Sequence, residues 1–225
     1  MPSFFQSLFS DPEVWDVTLL SLKVSGIATL ISVLIGLPFG TFLALSKFSG
    51  RSVVLTIVNT GMALPPVVVG LAVAMALWRS GPLGDFNLIY TPSAIIIAQT
   101  IIAAPVVIGL TAAALQQLDT RLQLQLLGLG ASIPQMVITL WWEARLPLLA
   151  TLMAGFGSVI SEVGASMMVG GNIQGQTRVL TTAIVLETNR GEFERAMLLG
   201  VLLLAITLLI NYALTRIQQG GARQR

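Results

Sequence analysis

The chain of 225 residues contains no cysteine and no histidine. Without cysteine, disulfide frameworks, thiolate nucleophiles and cysteine metal sites are excluded. Without histidine, Ser-His-Asp triads, H-E-x-x-H zinc sites and histidine-ligated haem are excluded as well. The only lysines, Lys23 and Lys47, precede Val24 and Phe48 rather than the Ser or Thr of a nucleotide-binding P-loop. We therefore expect neither an enzyme active site nor a cofactor or metal ion bound by this chain.

Charge is also scarce. Only 10% of the residues are charged and 55% are hydrophobic, whereas about 25% are charged in an average soluble domain. A soluble monomer of this length cannot bury so much apolar side chain, because the ratio of surface to volume limits burial. Lipid is therefore expected to surround most of the chain. The net charge of +2 is too small to indicate a nucleic-acid partner.

Five apolar segments are long enough to cross a bilayer, which takes about 20 helical residues. We predict membrane spans at residues 15–46, 52–78, 91–118, 146–170 and 195–216. The whole chain, 1–225, is then one all-α, polytopic transmembrane domain. Ahead of the first span, an amphipathic segment is expected to lie on the membrane surface through Phe4, Phe5, Leu8 and Phe9.

The segment between the third and fourth spans, 119–145, is harder to place in lipid. Its central part, 122–142, carries no charge but holds three glutamines, two glycines and a proline. Lys and Arg favour cytoplasmic loops. Five spans with the N-terminus outside put seven of them on the cytoplasmic side and four outside, whereas a sixth span at 122–142 changes that split to six and five.

We therefore predict an outer N-terminus, a cytoplasmic C-terminus, a cytoplasmic loop at 119–145 and a polar outer segment at 171–194. An apolar, glycine-interrupted loop outside the membrane is typical of a docking surface for another subunit. The alternative is a helix pair packed on the chain's own cytoplasmic face.

The loop resembles the EAA loop of type I ABC importer permeases in Gln125-Leu-Leu-Gly-Leu-Gly-Ala-Ser132 followed by Leu146-Pro147. It departs from that family where Leu124-Gln125-Leu126 replaces Glu-Ala-Ala. The spacing is also about four residues longer, which is close to one helical turn. Further along, Ile160-Ser-Glu-Val-Gly-Ala165 and Val169-Gly-Gly-Asn-Ile173 resemble the tungstate-importer permeases.

This resemblance implies a homodimeric permease in a prokaryotic cytoplasmic (inner) membrane. It also implies two cytoplasmic ABC ATPase subunits, which bind the ATP and Mg²⁺ of the complex, and an outer (periplasmic) oxyanion-binding protein that delivers the solute. The family's coupling helix corresponds to Gly130, Ala131 and Ser132. The remaining residues implied in the ATPase-coupling surface are Leu127, Gly128, Leu129, Ile133 and Met136.

The same resemblance implies tungstate as the solute, with molybdate, vanadate or another oxyanion as alternatives. A stand-alone channel or secondary transporter is a further alternative. The chain lacks the inverted halves of many secondary transporters, however, and a single acid well inside a span is little for an ion relay.

Several residues are candidates for the translocation path or its gate. Pro65-Pro66 and Pro105 remove backbone donors and kink their helices, which serves either a gate or plain packing. In the outer segment, Asn172 and Arg178 offer an amide and a guanidinium that can guide an oxyanion. The alternative there is a solvated loop whose helix-like part, 179–188, dips back into the dimer.

Glu162 is an acid inside a predicted span, where an ionisable group normally faces protein or water. An acid repels an anion, so we expect a structural role. Its carboxylate is predicted to accept hydrogen bonds from Ser158, Ser161, Ser166 or a neighbouring helix. A gating role is the alternative.

Overall fold

The computed structural model describes residues 11–222, which include ten α-helices, one short 3-10 helix at Gly84–Phe86 and no strand. The predicted surface segment at residues 1–10 lies outside the described residues. In chain order the helices are Pro12–Leu45 (α1), Arg51–Met62 (α2), Pro66–Leu77 (α3), Pro92–Gln116 (α4), Thr120–Gly128 (α5), Ile133–Glu143 (α6), Arg145–Ile160 (α7), Gly164–Gly170 (α8), Leu180–Arg190 (α9) and Phe193–Ala222 (α10).

Several of these helices begin where the sequence provides a cap. Asp11 caps α1 by accepting from the backbone N–H of Glu13 at 2.9 Å, and Asp119 caps α5 by accepting from Arg121 N at 2.8 Å. Thr91 caps α4 at 3.4 Å from Ala94 N. Proline follows as the first residue of α1 and of α4, where its missing N–H costs nothing.

The centre of the bundle is the parallel pair α1 and α4. Ser32 Oγ donates to Thr100 O at 3.3 Å, and the register continues toward the C-terminal ends of both helices. A Cβ added at Gly36 would lie 2.5 Å from Val107 Cγ1, and one at Gly40 would lie 2.6 Å from the carbonyl oxygen of Ile108. The two glycines therefore allow the helix backbones to approach closely, as small residues do in membrane helices.

Within residues 11–222 the chain passes between the two ends of this bundle five times. We call them the N-terminal end, where α1 begins, and the hairpin end, where α5 and α6 lie. α7 runs antiparallel to α4, since Gln99 Nε2 donates to Val159 O at 3.2 Å near one end and Leu148 packs against the cluster containing Leu115 near the other. α10 returns from the N-terminal end to the hairpin end, where Gln218 donates to Leu146 O at 3.2 Å.

By length and composition, three helices in the described residues can each cross a membrane alone: α1, α4 and α10. The number rises to five when two bent helix pairs count as one crossing each. One bent pair is α2 and α3, which meet at 99°. The predicted span 52–78 is thus two helices separated at residues 63–65, since Pro65 and Pro66 stop the first and start the second.

The predicted fourth span, 146–170, also needs correction. α7 has 16 residues and ends at Ile160, and the separate helix α8 begins only at Gly164. At about 1.5 Å per residue α7 measures about 24 Å, which is shorter than the ~30 Å hydrocarbon layer. The second bent pair is α6 and α7, at 76°. The physical reason for the break after Ile160 is the hydrogen bonding of Glu162, described below.

The predicted outer segment, 171–194, is less exposed than its composition indicates. It contains α9, whose first residues are buried, and the start of α10. Leu180 and Ala183 of α9 pack with Val14, Val17 and Leu198 in one apolar cluster. The helix-like part therefore packs against this chain's own α1 and α10.

Candidate functional site

The first candidate site is the corner between α5 and α6, which the sequence predicts as the coupling surface. Gly130 has a φ of +85°, a conformation that favours glycine. Its N–H donates to Leu127 O at 3.0 Å, and the N–H of Ala131 donates to Leu126 O at 3.0 Å. These two bonds form a Schellman motif, which ends α5 abruptly.

α6 begins immediately after this turn. Gln135 Oε1 accepts from the backbone N–H of Ser132 at 2.8 Å and from its hydroxyl at 2.9 Å. Pro134 lies in the first turn of α6, where its missing N–H has no helical partner to lose. Gly130, Ala131 and Ser132 thus form a tight helix-turn-helix corner rather than a helix of their own.

The corner exposes large apolar side chains. Leu129 is 85% exposed and Ile133 is 69% exposed, with Leu124 and Leu127 exposed beside them. We call these four residues the apolar tip. Met136 differs from the prediction, because it is only 8% exposed and packs against Leu140 and Ala144 inside the chain. It supports the corner from within the chain.

At the N-terminal end, Arg178 is held by one carboxylate. Its side chain is 9% exposed and forms an ion pair with Glu13. Arg195 joins the same cluster, at 3.0 Å from both Asp11 and Glu13. Two arginines therefore face two acids that begin α1, and the outer segment and α10 are tied to that end.

This cluster borders a cavity of about 560 Å³ that is also lined by Lys23 and Asp16. The acids Glu13 and Asp16 face the same space as Lys23 and Arg178, so the cavity carries no excess positive charge. Asn172 donates to Thr182 O at 3.4 Å, and its amide oxygen is buried without a partner among the described residues. This arrangement favours a structural role for Arg178 over guidance of an oxyanion.

Glu162 lies in the break between α7 and α8 and is buried. Its carboxylate accepts from Ala165 N at 2.7 Å, and from the N–H and hydroxyl of Ser166 at 3.0 and 2.9 Å. Its carbonyl oxygen accepts from the Thr181 hydroxyl at 2.8 Å. An acid at a helix N-terminus satisfies backbone donors that no helical carbonyl can reach, so Glu162 stabilises the start of α8.

The expected hydrogen bond from Ser166 to Glu162 is therefore present. The hydroxyls of Ser158 and Ser161 instead donate to carbonyl oxygens of their own helix, Gly155 O at 2.7 Å and Gly157 O at 2.8 Å.

Comparison with known proteins agrees with this architecture. A family model described as "Binding-protein-dependent transport system inner membrane component" matches residues 36–222. The chain belongs to this family. The resemblance to importer permeases noted in the sequence is thereby confirmed, and the match spans both the hairpin and the Glu162 break.

Individual relatives are transport permeases of anions. The chain is 40% identical over 200 residues to a probable anion ABC transporter permease of Haloferax volcanii, covering 87% of this chain and 86% of that protein. It is 38% identical over 209 residues to the tungstate uptake permease TupB of Peptoclostridium acidaminophilum, covering 93% and 92%. The molybdenum transport permease ModB of Escherichia coli K12 is 30% identical over 228 residues, covering 96% and 99%.

Solved structures share the fold. A bacterial ABC transporter involved in import of the polysaccharide alginate superposes with a TM-score of 0.80 at 18% identity, covering 96% of this chain and 82% of that chain. An inward-facing form of the MetNI methionine ABC transporter superposes with a TM-score of 0.76 at 22% identity, covering 94% and 98%. The predicted all-α fold of an ABC importer permease is confirmed at this level.

The structure of this permease does not gather the predicted path residues into one site. Pro65 and Pro66 are exposed at the break between α2 and α3. Pro105 lies in α4 opposite Gly61, where an added Cβ would be 2.9 Å from the Pro105 ring. Glu162 and Arg178 are each bonded within the chain, as described above.

Sequence reasoning missed the partners that hold these residues. Glu13 is 165 residues from Arg178, and Thr181 is 19 residues from Glu162. Gln99, a buried amide in the apolar helix α4, bonds Val159 O just before the break. The available signal was the presence of polar residues in apolar helices, because a buried polar group requires a hydrogen-bond partner.

Proposed function

We propose that this permease forms the translocation pathway of an ATP-driven importer for an oxyanion, most specifically tungstate. The anion and tungstate permeases at 40% and 38% identity support this solute class. Molybdate is the second candidate, since the molybdenum permease ModB is 30% identical over nearly its whole length. Vanadate is chemically close to both.

The observation that carries the proposal is the apolar tip. Leu124, Leu127, Leu129 and Ile133 are exposed at a corner whose backbone is fixed by two hydrogen bonds at 3.0 Å. A rigid, uncovered apolar corner on an inner-membrane component of a transport system is suited to docking a partner subunit. We assign it to the ABC ATPase, which binds ATP and Mg²⁺ while this chain binds neither.

The orientation follows from charge. Arg51, Arg121 and Arg145 begin or flank helices at the hairpin end, together with Lys47. Because Lys and Arg favour the cytoplasm, we place the hairpin end inside and the N-terminal end outside. The outer end then faces the oxyanion-binding protein, and two copies of the permease enclose the path.

Transport requires two packings of the permease whose balance the ATPases shift. A partner can shift such a balance only if it contacts the two states differently. The docked hairpin provides that contact, and the helix breaks at residues 63–65 and 161–163 provide positions where two packings can differ.

The test is uptake by proteoliposomes that contain the permease, its ATPase and the oxyanion-binding protein. ATP-dependent accumulation of radioactive tungstate that also requires the binding protein is expected. Preferential transport of molybdate or vanadate over tungstate would contradict tungstate as the solute and assign the preferred anion instead. Uptake without the ATPase would contradict the importer and favour a stand-alone channel.

Because the chain has no cysteine, its orientation can be tested with single cysteines. We expect a cysteine at Leu129 to react with a membrane-impermeant maleimide only from the cytoplasmic side, and to be protected when the ATPase is bound. A cysteine at Phe86, in the 3-10 helix at the opposite end, is the matched control and should react only from outside. The reverse pattern would contradict the orientation.

A further inference from the structure

A contact between the hairpin and α1 lies deeper than the apolar tip. Trp141, on α6, donates from its indole Nε1 to the hydroxyl of Thr41 on α1 at 2.8 Å. The two residues are 100 positions apart. Thr41 is 5% exposed and its hydroxyl donates in turn to Leu37 O at 2.6 Å. The indole therefore meets a hydroxyl whose direction is fixed by α1 itself.

This bond reaches α1 where α1 packs closely against α4. Gly40, the preceding residue, is so close to α4 that an added Cβ would lie 2.6 Å from Ile108 O and 2.7 Å from Thr111 Cβ. Two residues after Thr41, the carbonyl oxygen of Leu43 accepts from the Arg51 side chain of α2 at 2.7 Å. A displacement of Thr41 thus acts on α1, α4 and α2 together.

Beside this bond, the hairpin packs against the bundle through an apolar cluster. Met136 and Leu140 of α6, together with Ala144 directly after it, pack against Leu115 and Leu45. Apolar packing is non-directional and permits small sliding movements, whereas a hydrogen bond weakens steeply when its angle or length changes. The Trp141–Thr41 bond therefore fixes the register between the hairpin and α1.

We propose that Trp141 and Thr41 are positioning residues for transport, which convert a movement of the docked hairpin into a movement of the hairpin end of α1. The inference rests on the proposed docking of an ATPase at the apolar tip. Without the bond, a moving hairpin slides on α1, so ATP is hydrolysed while fewer oxyanions are moved.

The experiment compares the assembled transporter with Trp141→Phe, Thr41→Val and the double variant in proteoliposomes. Stimulated ATP hydrolysis is expected to stay within about twofold of the original. Tungstate moved per ATP is expected to fall about fivefold, which is the effect of about one net hydrogen bond. The double variant should fall no further than either single variant, because all three lack the same bond.

Two controls separate coupling from folding. Thr41→Ser keeps the hydroxyl and should restore the ratio. Trp142→Phe changes the neighbouring indole, which is 66% exposed and lies beside Arg145 rather than Thr41, and should leave the ratio unchanged. An unchanged ratio of tungstate moved per ATP in the single variants, including equal losses of hydrolysis and uptake, would overturn the proposal. Additive losses in the double variant would overturn it as well.

A second measurement does not depend on the solute. Hydrogen exchange of backbone amides in residues 40–46 is expected to change by at least about threefold when the ATPase binds the original permease, and to stay unchanged in Trp141→Phe. Failure of the original complex to move tungstate would contradict the proposed solute alone. An exchange response that survives in Trp141→Phe would overturn the positioning role.

Discussion

The two ends of the bundle differ in whether their notable side chains find partners within the chain. At the N-terminal end, Arg178 and Arg195 form ion pairs within the chain with the acids that begin α1. At the hairpin end, the large side chains of the apolar tip are exposed, although two backbone hydrogen bonds fix the turn beneath them. Arg178 and Glu162, which the sequence offered as path candidates, are thus bonded within the chain, whereas large apolar side chains of the hairpin are exposed.

Replacing Arg178 with Ala should give the largest loss of stability. The change leaves Glu13 partly buried beside Arg195 alone, and breaking a buried ion pair costs about 3 kcal/mol. We expect a lower midpoint of thermal unfolding in detergent, followed by tryptophan fluorescence, with Arg178→Lys recovering part of the loss.

Glu13→Ala distinguishes this structural role from guidance of an oxyanion. It frees the Arg178 guanidinium, so an anion-guiding arginine would bind its solute better and lower the KM for uptake. We expect instead a lower unfolding midpoint and an unchanged KM. A lower KM with unchanged stability would reverse the comparison for this end of the molecule.

Leu129→Asp should have the next largest effect, on assembly rather than on folding. The side chain is 85% exposed in the isolated chain, so an aspartate there costs the fold little. Burying its charge at a docked corner should cost about 2 kcal/mol, or a roughly thirtyfold weaker Kd for the ATPase. Co-purification and stimulated ATP hydrolysis measure the loss.

Phe86→Asp is the matched control for that variant. Phe86 is also a large exposed apolar residue, but it lies in the 3-10 helix at the N-terminal end. The Phe86→Asp substitution should leave the affinity for the ATPase unchanged. Equal weakening by both substitutions would mean that exposed apolar area in general, and not the apolar tip, sets this affinity.

Glu162→Gln should have a smaller effect than Arg178→Ala or Leu129→Asp. The amide keeps one acceptor oxygen for Ala165 N but turns an NH₂ group toward the donors of Ser166. Loss of a charged acceptor costs about 1.5 kcal/mol. The unfolding midpoint should fall. The midpoint of Ser166→Ala should fall less, because the backbone N–H groups of residues 165 and 166 both stay paired with the Glu162 carboxylate. An unchanged midpoint in Glu162→Gln would remove Glu162 as the stabiliser of α8.

Features of the fold and of the candidate site could be predicted from the sequence when the interacting residues lie close together along the chain. Caps and breakers act within a few residues, so the sequence itself carries local signals for these helix boundaries at Asp11, Asp119 and Pro65-Pro66, of which only the two prolines entered the prediction, as a kink. The break after Ile160 was missed, because Thr181 and Gln99 come from other helices and no periodicity shows them. The coupling role of the apolar tip stays a prediction, since exposure identifies a surface but not the partner that covers it.

The smallest expected effects come from substitutions at the two glycines of the corner, Gly128 and Gly130. Neither Gly128 nor Gly130 has an atom within 4 Å of an added Cβ, so an alanine at either position gains no contact. Gly128 is the last residue of α5, where alanine is favoured over glycine by about 0.5–1 kcal/mol. Gly130 has a φ of +85°, where a Cβ costs about 1 kcal/mol or more.

Gly128→Ala should therefore raise the unfolding midpoint and Gly130→Ala should lower it, although the two changes add the same atom two residues apart. If the turn positions the apolar tip, Gly130→Ala should also reduce stimulated ATP hydrolysis while Gly128→Ala does not. A shift of the same sign in both variants would mean that the Schellman turn does not set the geometry of the corner. The difference between the two ends of the molecule would then rest on exposure alone.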